Sequence, residues 1–405
     1  MKKIRVLNLV IRTSLFAVIL SLGTLAALVT GETPGLALAD FRGASVRAVT
    51  ITRDGELVYA GMVGGPQPTG IYRSEDGGRT WQTVSSGPGV AVNALAVHPA
   101  NETVLYAGTA GGPAATTHSL WRSVNGGQTW RSFILGLPAD AYGVAPTVTS
   151  LAVDPRQPGV LYVGTDGQGV YRFDEGRSSY ELIGGPSLYN AHVKGLVVSP
   201  DSRLYALTND GLFVTYGYSW QKLESLPELA VSLAIAPQDP QVLYAGGSSM
   251  GAYRATDGGQ NWQPISSGLE VIPGVALRVT ALAVDEQDPN HVAAATAYGA
   301  GSQLARGGIY ESADAGLSWT KLAEADGIVN NLTINQGLVY VATANGLARY
   351  GTPAASSPGF SLPDLSPLAN PSGAQVLILV LTGTLAGLAL IGRGEWVSSR
   401  SKAAA

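Results

Sequence analysis

The sequence predicts an all-β, seven-bladed β-propeller flanked by an N-terminal signal or anchor segment and a C-terminal transmembrane helix. Three observations point there: a strand-rich, glycine-rich composition, one unit repeated seven times, and an uncharged apolar run near each end. The 405 residues include 52 glycines, and only 13% are Asp, Glu, Lys or Arg. Lys and Glu, which favour helix, are scarce, whereas Val, Tyr, Thr and Leu are plentiful, the profile of short strands joined by tight turns.

The repeat is clearest in the second strand of each copy. Leu57-Val58-Tyr59, Leu105-Tyr106, Leu161-Tyr162, Leu204-Tyr205, Leu243-Tyr244, Val292-Ala293 and Val339-Tyr340 recur roughly 40–57 residues apart, a spacing that suits a four-stranded blade. Alternating strand patterns exclude a helical solenoid of similar period. Blade seven offers three strands, and a fourth is expected either from Gly359–Leu362, with Phe360 in place of tryptophan, or from Gly35–Phe41.

The turn from third to fourth strand carries a recurring pattern. Its copies are Ser74, Asp76, Gly78, Thr80 and Trp81; Ser123, Asn125, Gly127, Thr129 and Trp130; Asp257, Gly259 and Trp262; and Ser312, Asp314, Gly316, Ser318 and Trp319. An Asp or Asn side chain there accepts N–H groups of its own turn, and glycine supplies positive φ. The Ser or Thr adds a hydroxyl, and the tryptophan buries a large surface between blades. This arrangement resembles the Asp-box of the sialidase-type (BNR) repeat, and because every copy uses these residues alike, the expected role is structural. An arginine also recurs in strand three, as Arg73, Arg122, Arg172, Arg254 and Arg349. Its repetition predicts pairing with an acid of the neighbouring blade.

The ends read as targeting and anchoring segments. Lys2, Lys3, Arg5 and Arg12 precede the apolar run Leu15–Val29, and Ala37-Leu38-Ala39 offers a cleavage site before Asp40. Residues 1–39 are thus a signal peptide or an uncleaved anchor. Residues 40–351 form the propeller, and Thr352–Gly373 is a Pro/Ser-rich stalk. Ala374–Ile391 holds no charge and extends ~27 Å as a helix, enough for a bilayer core. Arg393, Arg400 and Lys402 place the tail, residues 392–405, in the cytoplasm and the propeller outside.

Several chemistries are excluded or disfavoured. With no cysteine there is no disulfide, thiolate nucleophile or Cys-ligated zinc. His98, His118, His192 and His291 lie far apart in sequence, and a net charge of −4 gives no nucleic-acid footprint. No cofactor is expected.

Second-to-third loops and blade-to-blade connections share one face. Insertions fall there at Gly64–Gly70, Gly111–Ser119 and Ala297–Gly308, with long connections at Gly136–Thr147 and Gly268–Val279. Insertions on one face of a repeat array mark a binding surface, and its candidate anchors are Gln67, His118, Tyr142, Arg278, Tyr298 and Arg306.

The Asp-box resemblance extends to enzymes. Sialidases carry an early Phe-Arg-Ile-Pro motif, whereas Phe41-Arg42 here continues Gly43-Ala44. Xyloglucan-active endoglucanases pack two propellers around a cleft, and one is present here. The acids of the insertion face, Asp140, Glu270, Glu324 and Asp326, come from junctions that are mostly not adjacent. The chain also resembles the seven-bladed photosystem II stability and assembly factors and the sortilin-like sorting receptors, though a C-terminal membrane helix is not part of the assembly factors' plan. That likeness implies a non-enzymatic module that binds a membrane or envelope protein complex. Glycan binding, or a glycoside hydrolase-like activity, is the alternative.

Overall fold

In the computed structural model, residues 36–84, 86–113, 118–132, 137–216, 219–300 and 303–351 are described. The expected stalk, membrane helix and tail lie outside them, as does the signal segment up to residue 35. Among the described residues no helix is long and apolar enough to cross a membrane.

Seven antiparallel sheets follow one another along the chain. Their innermost strands are Ser45–Ile51, Val92–Val97, Val148–Val153, Val193–Val198, Ala230–Ile235, Ala276–Val284 and Val329–Asn335. Each packs against the next, and the last packs against the first, so the ring closes. The second strands are the most buried, as in Val58–Gly64 and Leu161–Thr165, because both faces of a middle strand meet neighbouring blades. Their small and β-branched residues, such as Ala60, Ala107 and Ala294, are fully enclosed.

Closure differs from one of the two sequence-based alternatives, that the N-terminal segment supplies a fourth strand to blade seven. Blade seven has three strands among the described residues, ending at Gly346–Tyr350. Gly359–Leu362 falls outside the described residues. The N-terminal segment does not complete blade seven: Leu36–Ala37 pairs with Trp81 and Thr80 as a fifth strand outside blade one. A 3-10 turn, Leu38–Phe41, follows, and it drives Phe41 between the first and last blades. Phe41 is fully buried, edge-on to Tyr72 at 5.2 Å and to Trp81 at 5.5 Å. Gly43 then donates its N–H to the Asn345 carbonyl at 2.8 Å. An aromatic next to the seam gains more by filling it than a strand gains by a few edge hydrogen bonds.

The third-to-fourth-strand turns form as their residue types dictate. Asp76 Oδ1 accepts the N–H groups of Arg79 and Thr80 at 2.9 and 2.8 Å, its Oδ2 accepts the Thr80 hydroxyl, and Ser74 Oγ accepts the Gly78 N–H. Asn125 and Asp314 repeat the pattern with Thr129 and Ser318. Asp257 keeps the Asn261 contacts, but Ala255 stands where the other turns have serine. The Trp81 and Trp130 indoles donate back to Gly78 and Gly127, whereas Trp319 reaches the Ile265 carbonyl of blade five at 2.6 Å.

The strand-three arginines depart from expectation. Only Arg122 meets an acid of the next blade, Glu175, at 3.2 Å. Arg73 and Arg349 instead donate to backbone carbonyls in the next blade's turn, Gly126 and Gly77. Arg172 pairs with Asp174 of its own strand, and Arg254 lies over the Tyr244 ring of its own blade. The second-strand tyrosines join in: Tyr59 donates to Gly126, Tyr205 to Gly258 and Tyr340 to Gly77, each across a blade boundary. A carbonyl left free by a tight turn is a ready acceptor, and a long donor beneath it satisfies it.

Candidate binding face

Strand polarity sorts the surface. Second-to-third loops and blade-to-blade connections emerge on one face, and the Asp-bearing turns on the other. The insertions are structured by more than their own sequence. In blade two, Gly112–Pro113 pairs with Val144–Ala145 from the next connection, braiding two insertions into a ribbon. In blade six the insertion is a hairpin extension, its strands running Val292–Ala300 and Gln303–Ser312.

The six sequence-predicted anchors separate on this frame. Tyr142 is 91% exposed. It stands at the tip of a turn in which Asp140 Oδ1 accepts the N–H groups of Tyr142 and Val144, both at 2.9 Å. His118 and Arg306 are exposed. Gln67 is half-buried and bonds the Asp40 carbonyl. Tyr298 turns inward: it is buried, lies in the core with Leu277 and Tyr310, and donates to the Glu270 carbonyl at 3.2 Å. It is therefore a core residue and not a surface anchor, because the extended hairpin keeps the alternation of its blade and sends this ring to the packed side. Arg278 is half-buried near the central channel.

What the sequence reading missed is the apolar content of this face. Among the described residues, Val90, Tyr142, Val144, Tyr189, Leu229, Met250, Val271, Ile272 and Leu304 are large, exposed and on loops, connections or the hairpin of this face. Only Val124 and Leu317 occupy the opposite turns, and Leu182 lies on an outer strand. Most of the set belongs to blades four to six and to the Asp140–Val144 turn, so it only partly overlaps the arc of insertions. Met250 is held rigidly: the Glu228 carboxylate accepts the N–H groups of Ser249 and Met250 at 2.6 and 2.9 Å, and Leu277 bonds Ser249 and Gly251.

Three of the four carboxylates the sequence placed on this face are engaged: Lys321 Nζ bridges Glu270 and Glu324 at 2.7 and 2.5 Å, and Asp140 holds its own turn. Asp326 contributes its backbone carbonyl, which accepts from Asn345. Among the described residues no group of His, Asp and Glu side chains is placed to hold a metal.

The central channel is built from seven equivalent irregularities. Every inner strand skips one residue of its ladder, at Arg47, Asn93, Thr149, Lys194, Val231, Thr280 or Asn330. These seven line a central cavity of about 290 Å³. Several bond the next blade: Asn93 Nδ2 donates to the Val148 carbonyl, Thr149 to Val193 and Asn330 to Val46. Burial and the charge of Arg278 hold the Lys194 ammonium below the ordinary lysine range.

No family model matches the chain, and no curated protein matches it. Solved structures do. YCF48 bound to D1 peptide is 17% identical with a TM-score of 0.54, the match covering 78% of this chain and 95% of that one. The extracellular domain of a protein described as a hybrid two-component system from B. thetaiotaomicron is 14% identical (TM-score 0.56), covering 78% of this chain and 39% of that one. An ancestral GH74 enzyme is 19% identical (TM-score 0.54), covering 78% and 45%. These likenesses show the fold: the chain is a seven-bladed β-propeller, similar to a peptide-bound example and to an enzyme alike.

Proposed function

We propose that this chain is a non-catalytic, membrane-tethered propeller outside the cytoplasmic membrane, and that its insertion face binds a protein partner within a membrane or envelope complex, as an assembly or scaffold factor. The observation that carries the reading is the segregation of exposed apolar side chains. A monomer scatters such residues singly over its surface, whereas here they gather on one face and leave the turns opposite nearly bare of them. Tyr142 and Met250 sit on hydrogen-bonded loops that keep their backbones ordered before a partner arrives, which lowers the entropy cost of docking. Engagement of Glu270 and Glu324 by a shared lysine speaks against a free carboxylate pair for glycoside hydrolysis. The fold hosts peptide binding elsewhere, as in YCF48 with its D1 peptide.

The test is recovery of the full chain from its native membranes in mild detergent, beside the variants Tyr142→Ala and Met250→Ser. A stoichiometric membrane protein that accompanies the parent and is depleted about ten-fold with either variant supports the reading, a loss of ~1.4 kcal/mol or more at an anchor. Co-purification unchanged by both variants, or retention on a glycan column that Tyr142→Ala abolishes, would replace it.

A further inference from the structure

The bulge ring puts one side chain of each blade in the channel; Asn93, Thr149 and Asn330 bond the next blade, whereas two of the seven are cations, with a third close by. Arg47 from blade one and Lys194 from blade four are both exposed bulge residues of the ring. Arg278 lies two residues before the blade-six bulge, toward the insertion face, close enough to act on Lys194. Arg47 Nη1 donates to Asn93 Oδ1 at 3.1 Å, a neutral partner that orients the guanidinium without neutralising it. Among the described residues, Lys194 and Arg278 have neither ion-pair nor hydrogen-bond partner, and no Asp or Glu lines the cavity. Elsewhere in the molecule several arginines and lysines are matched with acids, as in Arg122–Glu175, Arg203–Asp201 and Lys321–Glu270, and Arg349 and Arg254 are satisfied by a carbonyl and an aromatic ring.

Repulsion between neighbouring cations is unfavourable on its own, and the ring offers neutral alternatives at the same register, Thr149 and Thr280. Positive charge retained where a hydroxyl fits is the pattern of an anion site. We propose that the central channel binds a small polyvalent oxyanion, such as a di- or polyphosphate or a polycarboxylate, held by Arg47, Lys194 and Arg278. The cavity volume is that of a compact anion and its water, not of a folded segment. This site is separate from the apolar face and does not depend on that face's partner.

The probe is inorganic pyrophosphate, titrated into the full chain in detergent at low ionic strength, read by calorimetry and by thermal midpoint. Saturable one-to-one binding is expected, weakened at least ten-fold by Lys194→Ala and by Arg278→Ala and unchanged by Lys222→Ala outside the channel. Val231 occupies the blade-five bulge, so Val231→Lys adds a cation and tightens binding, whereas Val231→Glu supplies an internal counter-charge and abolishes it. An acidic peptide that competes with pyrophosphate with equal potency would reassign the site to a partner's carboxylates. No binding at millimolar pyrophosphate, or binding insensitive to both Lys194→Ala and Arg278→Ala, overturns the proposal.

Discussion

The hydroxyl of Tyr340, in the last blade, donates to the backbone carbonyl of Gly77, in the first, at 3.0 Å. Arg349 donates to the same oxygen. The relationship of Tyr59 and Arg73 to Gly126 is the same between blades one and two, so the seam is sealed by a device that also joins interior blades.

Tyr340→Phe removes one donor from a half-buried carbonyl and is expected to lower unfolding free energy by about 1 kcal/mol. Tyr244 is the contrast. Its hydroxyl is buried without a partner among the described residues, so Tyr244→Phe is expected to be neutral or slightly stabilising. Chemical denaturation of the two variants side by side checks this.

Phe41→Ala empties the space between the first and last blades. Its cost is expected at ~3–5 kcal/mol, the range for a fully buried aromatic. Replacing the exposed Tyr142 with alanine should leave the thermal midpoint unchanged.

Acid behaviour follows from Asp314, whose carboxyl is held at about 2 by the hydroxyls of Ser318 and Ser312. Because the folded value lies below the ordinary one, ionised Asp314 favours the fold above about pH 3.8 and this contribution disappears as pH falls toward about 2. Asp314→Asn should keep the turn, as Asn125 does in blade two, and flatten the stability profile over that interval.

His291 works on the alkaline side. Asp285 and Glu311 raise its pKa, Asp285 more strongly, despite burial. A raised value in the folded state means the stabilisation is complete below about pH 6.5 and is lost as pH climbs through the higher folded value. Stability measured from pH 6 to 9 should decline in the parent, and His291→Gln should remove that decline.

The repeats were legible because six of the seven blades bury a second-strand tyrosine and four close on the same tryptophan-ended turn. The partners of Tyr59, Arg73 and Arg349 were not, since a backbone carbonyl leaves no mark in the residue pattern. Tyr298 misled because an insertion in sequence became a continuation of the sheet in space. For the channel a signal did exist: Arg47 and Lys194 interrupt strands that are otherwise apolar or small. On the candidate face the insertions were visible, but the gathering of Leu229, Met250, Val271, Ile272 and Leu304 depends on which loops share a face across three blades.

The placement of Phe41 has a consequence for biogenesis. It shares one cluster with Tyr340 and Leu347, so a side chain synthesised early finds the last of its neighbours only after nearly the whole disc has been made. Long-range pairing of this kind is slow, and a nascent chain must shelter its apolar strands until the last blade emerges. Arrest of synthesis short of Leu347 would leave an open crescent, prone to stick to its own kind.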